Sequence, residues 1–477
     1  MIRLTLAGML AQRRIWIGTL IVAVVTGLAL SLAATVIHTG IHIGTLDAAA
    51  LVHESGLHGI PADAVGQVAD AIQYFFVFFG SVIVLFSGVC AMVVVATTTN
   101  LAVDLQRREY ALWQLAGVSP ARITAIVRGQ VALVSLVGAA VGTVVGFAVA
   151  PRVFTAGFEA TPGLPPVAPL YDPLDAVLTT LVVVVIAVLG ALRASGRAGR
   201  VQAIEALRGP GRAAGRMTVI RWILAALLLL ATVSNGLSIG DLQLDQAAVP
   251  SAMFPLTAAV TLVALAPLVT APLLRLWTSI VPARLSSSWF LARNTAEYDL
   301  TRSTSTVTVM MIAIALPGGL AAANAVFNST GATPDTPDAS QSIIIGDQTL
   351  LLLVGGALVI ALAGVAANVY MASSVRDREH ALVRSAGSTP GGVLLSAVFE
   401  GVILAGTALV QAAVVLLVTG FGLAASLAAH NPSVRPDFGV PPAAGVFGAA
   451  LVLVILATVV PTLLALRQRL VPMLAAA

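Results

Sequence analysis

The sequence predicts an all-α polytopic membrane protein of ten transmembrane helices, arranged as two parallel four-helix repeats with a two-helix connector. Three observations carry that expectation. Apolar runs long enough to cross a hydrocarbon core of ~30 Å recur along 477 residues that are 58% hydrophobic and 10% charged. Arginine collects on alternate loops. A short polar stretch appears twice. The runs are continuous rather than alternating, so they suit helices and not the strands of a barrel.

Taken in order, the spans are expected at about 15–37, 72–98, 123–149, 174–192, 219–237, 253–274, 304–327, 349–373, 393–427 and 443–466. The first follows Arg13 and Arg14, as a signal peptide would. Its apolar run is too long for one and no convincing cleavage site follows, so it counts as a span. With the N-terminus inside, 23 of the 25 basic residues fall on the cytoplasmic side, leaving only Arg152 and Arg435 outside. Of the 21 acidic residues, 13 lie outside, which fixes the same orientation and puts both termini in the cytoplasm.

The repeated stretch reads RREYALWQLAGVSP at Arg107–Pro120 and DREHALVRSAGSTP at Asp377–Pro390, an offset of 270. Arg108 meets Arg378, Glu109 meets Glu379, and Ala111-Leu112 meets Ala381-Leu382. Gly117 meets Gly387, and Pro120 meets Pro390. From Arg108 to Ala116 there is no Gly or Pro, and Ala111, Leu112, Leu115 and Ala116 form a narrow apolar stripe. Gly117 suits the left-handed position past a helix end. Ser119 then caps a following helix that begins at Pro120. A short helix, a tight corner and a long helix are therefore expected twice.

The repeat extends further. Val201-Gln202-Ala203-Ile204 matches Val471-Pro472-Met473-Leu474 at the same offset, and Leu4–Arg14 loosely resembles Phe290–Arg302. Residues 1–208 form a first unit with its repeated helix at 107–117, 209–285 a two-span connector, and 286–477 a second unit with its repeated helix at 377–387. Both units begin inside, so they are parallel repeats. The external loops Thr39–Asp70 and Asn328–Gln348 are too short for a large independent domain.

Several other residues invite a functional reading. His38, His42, His53 and His58, with Glu54, fall in the first external region and are weak candidates for zinc or copper. The second unit has no matching set, so no metal is expected. Gly138, Gly142 and Gly146 form overlapping GxxxG steps suited to close helix packing. Glu400, an intramembrane carboxylate, aligns with the neutral Gln130. Pro267, Pro272 and Pro317-Gly318-Gly319 are expected to kink their helices. The single cysteine, Cys90, excludes a disulfide within the chain. Lysine is absent, which excludes a Walker A loop. No HExxH, paired CxxC or GxSxG pattern occurs, so no catalytic residue is assigned.

These two motifs, each followed by a long span and closing on a basic tail, resemble the FtsX-like permease domain of MacB-type, mechanotransmission-class ABC transporters. The family pattern R-E-x-A-L-x-x-x-x-G fits Arg108 to Gly117 and Arg378 to Gly387. The resemblance implies that each repeated helix is a coupling helix docking on a separate ABC ATPase, with two ATPase copies per chain. Arg108, Glu109, Ala111, Leu112, Leu115 and Gly117 would form the first docking surface, and Arg378, Glu379, Ala381, Leu382 and Gly387 the second. It further implies that this chain binds no cofactor, ATP and Mg being held by the partner. The expected setting is the bacterial cytoplasmic membrane, with the lipid bilayer as partner and no nucleic acid. Many relatives carry a large extracellular domain after a unit's first span; this chain does not. The function implied is a permease subunit that exports an amphiphile, a lipid or peptide antibiotic, or extracts it from the outer leaflet. The alternatives are a proton- or ion-coupled secondary transporter using Glu400, and a non-transporting signalling or division regulator.

Overall fold

A computed structural model describes residues 13–46, 62–158, 167–199, 219–282, 286–298, 300–330, 347–385, 387–429 and 434–466. Among the described residues the chain is entirely helical: α1 Arg13–Ile43, α2 Ala62–Leu105, α3 Arg107–Leu115, α4 Pro120–Phe158, α5 Pro173–Ala198, α6 Val219–Asp241, α7 Leu244–Thr278, α8 Ser287–Tyr298, α9 Leu300–Asn328, α10 Asp347–Ser385, α11 Pro390–Leu427 and α12 Val440–Leu466. Ten of these, all but α3 and α8, are long and apolar enough to cross a membrane. They contain the ten expected spans but run further. Helix α2 has 44 residues. At a rise of ~1.5 Å per residue it is about twice as long as a hydrocarbon core is thick. Hydropathy marks only the part that lipid selects; the ends are set by caps. Helix α5 starts in a capping box at Asp172 with Pro173 behind it, and α11 starts at Thr389, whose side chain accepts from the Gly392 N–H.

The first four long helices pack as α1 on α2, α4 and α5, with α5 also on α2 and α4. The last four pack as α9 on α10, α11 and α12, with α12 also on α10 and α11. The two sets meet where α10 crosses α1, α2 and α4, and where α9 touches α2. Small residues let these backbones close up. Cys90 reaches the Ala357 carbonyl at 3.2 Å, and a β-carbon on Gly364 would run into Val94. In lipid such close packing replaces the hydrophobic drive available in water. Helix α9 lies deepest, with 89% of its span buried, against 17% for α6 and 22% each for α5 and α12. The last three present rows of Leu and Val outward, as helices bathed in acyl chains do.

Gly138, Gly142 and Gly146 all face α1. A β-carbon on Gly138 would sit 2.7 Å from that of Ala23, one on Gly142 would overlap the Val24 carbonyl, and one on Gly146 the Ser31 hydroxyl.

The connector is a hairpin of α6 and α7, packed on α9 and α11. The prolines expected to kink their helices do not end them: α7 continues through Pro267 and Pro272, and α9 through Pro317. Pro267 has no N–H for the Val263 carbonyl four residues earlier. Arg221 supplies donors instead, from Nη2 to Val263 O at 3.2 Å and from Nε to Ala264 O at 2.9 Å. An arginine at the edge of a span is thereby accounted for by a neighbouring proline. Thr232 with Thr261 at 3.0 Å, and Asn235 with the Pro250 carbonyl at 3.2 Å, complete the hairpin.

Candidate functional site

Helix α3 sits across the inner ends of α2, α4 and α5. A turn at Gln106 separates it from α2 (φ −98, ψ 5). Tyr110 anchors it, only 1% exposed, in a pocket of Val103, Ile123, Val127, Ala194 and Ala198. The Tyr110 hydroxyl donates to the Gln106 side-chain carbonyl, locking the turn to the helix. Burial, and then the nearby Glu109 charge, push the phenol's pKa up, so it stays a donor at physiological pH. Trp113 packs edge-on against Tyr110 at 5.7 Å. Gln114 Nε2 donates to the Gly199 carbonyl past the end of α5 at 3.2 Å.

The corner after α3 is a Schellman motif. Val118 N–H bonds Trp113 O and Gly117 N–H bonds Gln114 O, both at 2.9 Å. Gly117 has φ +87, and Pro120 then opens α4. The helix is thus bolted down on one side and bare on the other. Leu112 is 49% and Leu115 60% exposed, flanked by exposed Arg108 and Glu109. Ala111 corrects the expectation of a four-residue outward stripe. It is fully buried, beside Tyr110 on the covered face of the helix.

The second copy differs. Helix α10 runs unbroken from Asp347 through Ser385, so no turn separates the span from the repeated segment. Gln106 and Tyr110, which hold the first turn, are Arg376 and His380 at the matching positions. The side chains of Arg378, Glu379, Ala381 and Leu382 lie outside the described residues. The corner itself is the same: Gly387 has φ +98 and Pro390 opens α11. Here α8 takes the supporting role, with Ser288 Oγ donating to the Gly392 carbonyl at 3.2 Å. Trp289 packs at 5.4 Å from Phe399.

Gln130 and Glu400 occupy matching places one helix in from each corner, 2% and 7% exposed. His38 Nδ1 lies 3.0 Å from Asp175 Oδ2. His42 is one turn further on; His53, Glu54 and His58 lie outside the described residues. Among the described residues no three potential ligands converge on a metal position.

Tyr110, Gln106 and Gln114 are structural supports of α3 that the repeat did not disclose, since only the positions shared by both copies stood out.

No curated protein matches the chain. Residues 81–203, from the middle of α2 past the end of α5, match the family model for the FtsX-like permease C-terminal domain. That stretch contains α3, its corner and the helices that hold it, and over it the chain is similar to the FtsX-like permeases, a family of non-catalytic transmembrane subunits.

Proposed function

We propose that the chain is a two-unit permease of an ABC transporter, in which ATP hydrolysis by a separate ATPase drives export or outer-leaflet extraction of an amphiphile. The carrying observation is α3: apolar and bare at Leu112 and Leu115, yet fixed through Tyr110 to three membrane helices. A lever that passes force needs both a free docking face and a stiff root. Two ATPase subunits dock, one at 107–117 and one at 377–387, and they hold the ATP and Mg. The matching neighbour sets of α1, α2, α4, α5 and α9, α10, α11, α12 support division into units 1–208 and 286–477. The arginine distribution supports cytoplasmic termini in a bacterial plasma membrane.

The test is co-purification with an ABC ATPase from cells, followed by hydrolysis with and without candidate lipids and lipopeptides. Substrate-stimulated hydrolysis is expected; hydrolysis indifferent to every amphiphile would favour a signalling role. Glu400→Gln makes the second unit like the first at that position, and transport should survive it. Its loss, with assembly intact, would favour proton coupling.

A further inference from the structure

A groove of about 200 Å³ opens between α1 and α5, with α2 behind it. Leu30, Ala34 and Ile37 line one wall, Leu178 and Val182 the other, and Val84 the back. Its polar end is the contact of His38 with Asp175 at 3.0 Å, which ties one wall to the other. The carboxylate is held in place: Asp175 Oδ2 accepts the Asp172 N–H at 2.9 Å in the capping box of α5. The preceding loop is strapped down as well. Leu170 N–H donates to Thr39 Oγ1 at 3.0 Å, and Tyr171 stacks on Phe147 at 5.2 Å. His38 is the looser partner, 33% exposed against 17% for Asp175.

The matching helix pair, α9 and α12, is closely packed where Gly318 meets the start of α12. There a β-carbon on Gly318 would lie 2.8 Å from that of Ala443 and 3.3 Å from the Gly439 carbonyl. Packing of four such helices therefore does not demand the groove. From Leu30 to His38 the lining runs about 12 Å along the helix axis. Apart from Thr179 it is apolar until its last turn, where a carboxylate waits with lone pairs beyond those that Asp172 and His38 use. A ligand that fits is a chain at one end and a cation at the other.

We propose that this groove binds the alkyl chain of a membrane amphiphile whose ammonium head displaces His38 from Asp175. This rests on the amphiphile-handling function above and gives it a site and a head-group charge. The ammonium offers three donors to an already oriented carboxylate, a charge-assisted contact.

The full chain, purified into phosphatidylcholine nanodiscs, would be irradiated with a diazirine-bearing long-chain alkylamine or with the matching fatty acid. Labelled peptides would then be mapped. The amine should label α1 and α5 around Ile37 and Leu178, and the fatty acid should not. Asp175→Asn keeps an acceptor for the Asp172 N–H but loses the charge; labelling should fall about tenfold. Ala34→Phe, which fills the groove from the other wall, should do the same. His38→Ala removes a competitor and should leave labelling equal or higher. Equal labelling by fatty acid and amine, or full labelling in both Asp175→Asn and Ala34→Phe, would overturn the proposal. No ATPase is present, so this outcome is independent of whether α3 docks one.

Discussion

Helices α4 and α11 follow the same corner in the two halves of the chain, yet they live in different surroundings. On α4 a stripe of Leu133, Leu136, Val137, Val141 and Val145 faces outward. At the matching positions of α11 stand Ile403, Gly406, Thr407, Gln411 and Val415. Four of these five are buried, and Gly406 is partly covered. The connector makes the difference. Trp277 Nε1 donates to Thr407 Oγ1 and Gln411 Nε2 to Thr270 Oγ1, each at 2.9 Å. A β-carbon on Gly406 would meet the Trp277 ring at 2.8 Å. Their inner faces diverge in the opposite sense. Gly138, Gly142 and Gly146 of α4 become Ala408, Ala412 and Leu416, so α4 lies closer to its first-span partner than α11 must. A duplicated helix keeps its place in the chain and rewrites each face to suit its neighbour: valine toward lipid, polar groups and glycine toward another helix.

Exchanging residues between the two helices sharpens or breaks this comparison. The largest effect is expected from Gly142→Leu, which drives a side chain into the α1 backbone at Val24. It should cost about 3 kcal/mol in reversible unfolding from mixed micelles. Ala412→Gly, the opposite exchange, should cost less than about 1 kcal/mol. Similar losses from both would mean that α4 is no closer to its partner than α11. Next comes Gly406→Leu, which gives α11 the residue of α4 and pushes Trp277 aside, for about 2 kcal/mol. Leu136→Gly on the lipid face should cost no more than a helix glycine does, about 1 kcal/mol. The smallest effect belongs to Thr407→Val and Gln411→Val, each near 0.6 kcal/mol by the usual worth of an interhelical hydrogen bond in lipid. A loss several times larger would show that the connector depends on these two contacts rather than on packing.

The sequence carried the spans because lipid imposes a long, unbroken apolar run on any helix that crosses it, and the ten long helices had to satisfy that locally. It carried the corners because φ near +90 at Gly117 and Gly387 all but requires glycine. What stayed hidden depends on partners far along the chain. Nothing near Thr407 or Gln411 announces Trp277 or Thr270, which lie 130 and 141 residues away. Helical spacing placed Ala111 with Leu112 on one stripe, but a pocket from α2, α4 and α5 claims Tyr110, and Ala111 beside it is buried as well. The repeat also suggested two equal short helices. The break at Gln106 exists in one copy alone, because only there does a tyrosine hydroxyl reach a glutamine one turn away.

Coupling in the proposed permease requires α3 to be a docking surface with a fixed root. The direct measurement is ATPase pull-down and stimulated hydrolysis for Leu112→Asp and, at the matching place in the second copy, Leu382→Asp, in membranes holding equal amounts of each variant. A buried leucine at an interface centre is worth on the order of 2 kcal/mol or more, and rim charges less. Leu112→Asp should therefore abolish association and stimulation while membrane insertion is unchanged, with Arg108→Ala milder. Leu382→Asp should also fail, though the first copy, with Trp113 and Leu115 where the second has Val383 and Ser385, should contribute more. If both aspartate variants bind and stimulate the ATPase like the parent, these segments are not where force enters the membrane.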